Sequence, residues 1–202
     1  MNQCTEEQFL KDVADHEMQV IQDDGLYRHV RFREGDSPIM GFDLITWPGH
    51  LCYTGDMGTY VFSRIPDMFQ FFRAPEGRSG LYVNHGYWSE KLDAADKSDG
   101  FREYSPDKAK EVILQWLDDG KATASERREV EQDVLSRIHD GERAFRAAVD
   151  EFNHGEILFH DFWECNLQEY TYRFQWCCFA LVWGIRQYDD ASKVDVKDVA
   201  HA

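Results

Sequence analysis

Residues 41–73 read GFDLITWPGHLCYTGDMGTYVFSRIPDMFQFFR, and the reading of this stretch decides the fold. Phe42-Asp43-Leu44-Ile45-Thr46-Trp47 is a β-prone run, Pro48-Gly49 is a turn pair, and Leu51-Cys52-Tyr53-Thr54 returns as a strand. Gly55-Asp56-Met57-Gly58 supplies the next turn, its glycines read as positions of positive φ. Residues 59–63 form the following strand. Pro66 sits where a first helical turn tolerates it, and Asp67, Met68, Phe69, Phe71 and Phe72 make a short aromatic helix against the sheet.

The preceding residues extend this meander. Thr5-Glu6-Glu7-Gln8 has capping-box form, and Phe9, Leu10, Val13 and Ala14 follow at helical spacing, so residues 5–16 read as an amphipathic helix. Met18 and Val20 lead into Asp23-Asp24-Gly25, a strand ending in a turn. In residues 27–33, Tyr27, His29, Arg31 and Arg33 fall on one face and Arg28, Val30 and Phe32 on the other. That pattern suits a half-solvated antiparallel strand.

The later residues read as helices. Residues 82–97 predict a helix with Trp88, Leu92 and Ala95 inward, broken at Ser98-Asp99-Gly100. Ser105-Pro106 caps another, with Ala109, Val112, Ile113, Trp116 and Leu117 on one face. Residues 123–152 predict one long charged helix with a narrow stripe of Val130, Val134, Ile138, Phe145, Val149 and Phe152, interrupted at most by Gly141. Such a stripe suits antiparallel packing, a partner helix or a homo-oligomer formed through this segment. The last helix, from about Asp161 or Leu167 to Tyr188, is apolar nearly all round and reads as a core helix; residues 191–202 read as a frayed polar tail. The expectation is an α+β fold. It is one domain over residues 1–202: an N-terminal helix and a small antiparallel sheet of about four to five strands (1–80), a helical half packed on it (81–190) and the tail.

Composition narrows the function classes. Hydrophobic residues at 43% support a core, and charged residues at 30% fit a soluble chain. No apolar run approaches the ~20 residues of a membrane span. The first dozen residues lack signal-peptide layout, so the expected location is cytoplasmic. The five cysteines have no CxxC spacing and read as buried, reduced thiols. The net charge is −16. Residues 1–104 carry 18 acidic and 10 basic side chains and the remainder 20 and 12, so the acidity is spread evenly. Such a surface repels nucleic acid and membranes and attracts a basic protein partner, including one whose usual ligand is nucleic acid. The acidic residues of the central helices, Asp118, Asp119, Glu126, Glu129, Glu131 and Asp133, are the candidate partner-binding positions.

The segments Phe42–Gly49, Gly55-Asp56-Met57-Gly58, Phe62-Ser63-Arg64 and Asp67-Met68-Phe69 resemble a family of uncharacterised accessory proteins encoded in tailed bacteriophages and enterobacterial prophages. The similarity extends to Ala14-Asp15-His16, to residues 86–92 and to Gln187-Tyr188-Asp189. The resemblance implies a setting, the infected bacterial cell, and brings no catalytic residues. Proteins of that setting bind and block host systems, nucleic-acid-guided defence among them. The expectation is a protein that binds and inhibits or redirects a host complex, anti-CRISPR-like, with an acidic surface mimicking nucleic acid.

The alternative is a small metal-dependent hydrolase or nucleotide-binding enzyme using Asp43, His50 and Asp56 at the sheet turns. With Arg64 at a strand end, these form the candidate site on the sheet. Asp and Gly at turns also have purely structural roles. No nucleophile elbow, P-loop or dinucleotide fingerprint is present, so no cofactor and no metal is expected. His154, Glu156, His160 and Asp161 lack the spacing of a helical zinc site.

Overall fold

A computed structural model describes residues 3–75, 77–98, 100–155 and 157–199. The chain is α+β and forms two units. One unit runs up to Phe101 and resumes at Tyr170; the other is Arg102–Glu169. Each has its own hydrophobic core.

The first unit is built on a six-stranded antiparallel meander. Its strands are β1 (Glu17–Asp24), β2 (Tyr27–Arg33), β3 (Phe42–Trp47), β4 (His50–Gly55), β5 (Gly58–Ser63) and β6 (Leu92–Ala94), adjacent in that order. The tight turns fix the register: Asp24 faces Tyr27, Trp47 faces His50 and Gly55 faces Gly58. Because side chains alternate across a strand, this register puts Val30, Phe32, Phe42, Leu44, Leu51, Tyr53, Tyr60 and Phe62 on one face, all buried. Three helices of this unit supply most of the rest of that core. They are α1 (Glu6–Asp12), capped by the Thr5 side chain, α2 (Met68–Phe72), capped by Asp67, and α7 (Tyr172–Val199).

The sheet therefore has one strand more than the expected upper count. Residues 82–97 do not form one helix. They give a five-residue helix, α3 (His85–Ser89), and then β6. The open edge of β5 offers unpaired backbone groups. Leu92 and Ala94 answer them, and Ser63 N donates to Lys91 O at 2.9 Å. Pairing at distance outweighs a weak helical preference here. Asp99 of the expected break lies outside the described residues. The last helix starts later than expected, at Tyr172, and continues through residues 191–199 of the expected frayed tail, so the 28 residues of α7 include much of it. Residues 200–202 lie outside the described residues. Among the described residues, no helix is long and apolar enough to cross a membrane.

The second unit contains β7 (Arg102–Tyr104) paired with β8 (Gln168–Tyr170), and helices α4 (Pro106–Asp119), α5 (Ala124–Asp133) and α6 (Glu142–Glu151). The expected single helix over 123–152 is two helices. A 3-10 turn at Leu135–Arg137 and Gly141, at φ +96°, end the first and redirect the chain into α6. Val130, Val134, Ile138, Phe145, Val149 and Phe152 are all buried, sharing a core with Ala109, Ile113 and Leu117 of α4. The stripe expected to serve homo-oligomerisation is thus buried inside its own unit.

Candidate functional site

The sheet face opposite the core carries two of the four residues singled out as a site, Asp43 and His50. Asp43 on β3 lies opposite Arg31 of β2 and is 9% exposed. Its carboxylate accepts from Arg31 Nε at 3.0 Å and Nη2 at 3.0 Å. It meets His29 Nε2 at 2.7 Å, and Arg33 Nη2 lies 3.7 Å away. Burial works to raise the Asp43 pKa. The hydrogen bonds from Arg31 and His29 outweigh it, so the carboxyl sits below its usual value. Asp43 is thereby the hub of a salt-bridged sheet face shared by Arg31, Arg33 and His29 of β2, while Arg28 of the same strand pairs with Asp67 at 2.9 Å.

This arrangement has a measurable signature. With its folded pKa depressed, Asp43 contributes stability that is fully present above the unfolded value near ~3.9 and is lost as pH falls through the lower folded value. Asp43→Asn is expected to cost about 1–2 kcal/mol at pH 7, where a charge-assisted contact becomes a neutral one. It is also expected to flatten the acid limb of a urea-unfolding series between pH 5 and 2. An unchanged acid limb in Asp43→Asn would sink the assignment.

The other three residues do not join Asp43. His50 opens β4, its ring stacked on Trp47 at 5.0 Å and its Nε2 3.6 Å from Asp93. Thr54, four residues further along β4, is the one that pairs with Asp43, which puts His50 about 13 Å along the strand. Asp56 closes the β4–β5 turn, where its carboxylate accepts from Met40 N at 3.0 Å. Arg64 is exposed next to the Pro48-Gly49 turn, its backbone N bonded to Gly49 O at 3.3 Å. Asp43, His50 and Asp56 therefore have separate partners and do not converge on one point. Among the described residues, no group of three His, Cys, Asp or Glu side chains is placed to hold a metal ion. His154 pairs with Asp133 at 3.5 Å, and Glu156 lies outside the described residues.

The cysteines are free. Cys4, Cys177 and Cys178 are buried, Cys52 and Cys165 half-buried. Burial pushes the Cys4 thiol up to about 11 and those of Cys177 and Cys178 well above the normal value, so these three are apolar core atoms rather than nucleophiles.

The acidic positions of the helical unit divide into two sets. Asp118 pairs with Arg127 at 2.7 Å, Glu126 closes a capping box on Thr123, and Asp133 faces His154. Asp119 and Glu131 are exposed, and Glu129 is half-buried. Residues 102–169 hold 17 acidic and 9 basic side chains.

Beside the end of α4 the same unit has a cavity of about 610 Å³, which sequence patterning does not reveal. Val112, Trp116 and Asp119 line it from the helix, Ile157, Leu158 and His160 from the facing segment. Aromatic packing holds that segment: Phe159 meets Trp116 at 5.8 Å and Phe152 at 5.8 Å. Arg146 clamps its far end, donating to Phe162 O at 3.0 Å and Cys165 O at 2.8 Å while paired to Glu142 at 2.9 Å. Leu158 remains 54% exposed and Trp163, in the same segment, 70% exposed. Large apolar side chains left in water beside a formed cavity make this the candidate binding surface. The α4 C-terminus, whose last carbonyls carry partial negative charge, and Asp119 give the cavity a negative rim. Comparison of the chain with family models, with curated proteins and with solved structures returned no match.

Proposed function

We propose that this chain is a non-enzymatic binding protein whose helical unit receives an apolar, basic segment of a partner protein. The cavity beside α4 carries the reading: apolar walls, exposed Leu158, and a negative rim on a unit with 17 acidic against 9 basic residues. An occupant of complementary chemistry presents an apolar anchor flanked by Lys or Arg. The resemblance to phage accessory proteins supplies the setting, a host complex in the infected bacterium. Basic segments of that kind commonly serve nucleic-acid contact, so occupying one would inhibit or redirect the complex. In this version the nucleic-acid mimicry rests on exposed Asp119 and Glu131 and half-buried Glu129 rather than on all six positions, since Asp118, Glu126 and Asp133 have local partners.

The test combines capture from a bacterial lysate at low and high salt with one exposed substitution. Leu158→Asp places a charge on the cavity wall without touching the core. It is expected to weaken the captured complex by about 30-fold, the scale of a single interface hot spot. The wild-type complex is expected to weaken steeply with salt. Recovery of the same partner by wild type and Leu158→Asp, or a salt-independent complex, would overturn the reading.

A further inference from the structure

The first unit has a second cleft of opposite electrical character. It lies between the segment after α2 and the later turns of α7, and measures about 600 Å³. In a chain of net −16 its walls hold, among the described residues, four cations, Arg73, Arg78, Arg186 and Lys193, against two carboxylates, Asp189 and Asp190. The carboxylates are already engaged. Arg73 forms a two-pronged contact with Asp189, both bonds 2.8 Å, and Lys193 reaches Asp190 at 3.0 Å. Glu6, near Gly80, accepts from Leu81 N at 3.0 Å. Among the described residues, Arg78 and Arg186 have no ion-pair partner. Arg78 is nevertheless oriented, its guanidinium 4.8 Å from the centroid of the Tyr82 ring.

We propose that this cleft binds a phosphate-bearing small molecule through Arg78 and Arg186, with the Ser79 hydroxyl as a further donor. Guanidinium groups match phosphate oxygens in planar, two-pronged contacts, and an arginine already oriented by a ring loses less freedom on binding. The volume suits a ligand larger than a bare ion. Arg73 takes no direct part. Its bond to Asp189 keeps that carboxylate from cancelling Arg186, which lies three residues earlier on the same helix face.

The test is calorimetric titration of the full chain with sodium pyrophosphate and, separately, ATP, at low salt. The expected result is one saturable site per chain, weakened at least tenfold in Arg78→Ala/Arg186→Ala. Both side chains are exposed, so the double variant is expected to keep the wild-type melting temperature. Tighter binding of ATP than of pyrophosphate assigns an organic phosphate, and equal affinity assigns the phosphate group alone; either supports the site. A response no larger than that of sodium chloride at matched ionic strength, or equal affinity in the double variant, overturns it.

Discussion

Trp176→Ala is expected to lower the stability of the sheet-bearing unit by about 3–5 kcal/mol, a large part of the ~5–15 kcal/mol that holds an ordinary domain together. Trp176 is fully buried on the face of α7 that meets the sheet. Its ring packs edge-on against Phe9 of α1 at 4.9 Å and against Phe42 of β3 at 5.7 Å, so one side chain joins three elements. Its indole N–H donates to Asp12 at 3.0 Å. Truncation leaves a void that these rings cannot close without moving the helix, and it removes the Asp12 contact. Trp176→Phe separates the two effects, since most of the volume returns and about 1 kcal/mol of hydrogen bonding stays lost. Trp163→Ala, at a 70% exposed indole, is the control and is expected to fall within about 0.5 kcal/mol of wild type. Urea-unfolding midpoints followed by circular dichroism give all three values. A Trp176→Ala loss below about 1 kcal/mol would show that α7 is not seated as described.

What could be read in advance follows from how local each signal was. The meander was legible because its information sits within a few residues. Alternation along residues 27–33 and the pairs Pro48-Gly49 and Gly55/Gly58 specify strand, turn and register together. The core role of α7 was legible because an apolar surface nearly all round excludes a solvent-facing helix. Strand β6 was not, since three residues carry no period and only the edge of β5 makes them a strand. The break within residues 123–152 was obscured because Ile138 and Phe145 are seven residues apart, which keeps an apolar stripe in phase across a chain reversal. The candidate site was legible by residue type alone. Asp43 and His50 share a sheet face, yet whether they meet depends on a register that puts them at opposite ends of the β3–β4 pair. The cavity beside α4 joins residues 112–120 to 157–166, and no pattern along a chain marks a space between segments so far apart. The cleft cations are divided in the same way between residues 73–78 and 186–193.

Gly55→Ala is expected to cost more than Gly49→Ala, the reverse of what turn geometry alone suggests. Gly49 has φ +83° and open space around it. A methyl group there meets no atom, and the cost is the left-handed conformation, about 1 kcal/mol. Gly55 has no such conformational demand. Its requirement is contact: a Cβ at this position would lie 2.7 Å from Phe42 Cα and closer still to the Gly41 carbonyl oxygen. Both are backbone atoms at the start of the paired strand, Gly41 just before β3 and Phe42 its first residue, so nothing flexible can yield. Opening the β3–β4 pair to admit the methyl would pull Phe42 out of its stack with Phe32 at 4.8 Å and Tyr53 at 5.5 Å. It would also strain the bond from Asp56 N to Gly41 O, now 3.0 Å. An overpacked site of this kind costs about 3 kcal/mol. Equal losses in Gly49→Ala and Gly55→Ala, measured by thermal unfolding, would mean that Gly55 serves only its turn. The expected ordering, Gly55→Ala well below Gly49→Ala, identifies it as the point where two backbones touch, and explains why a glycine stands at the end of a strand that makes no use of its freedom.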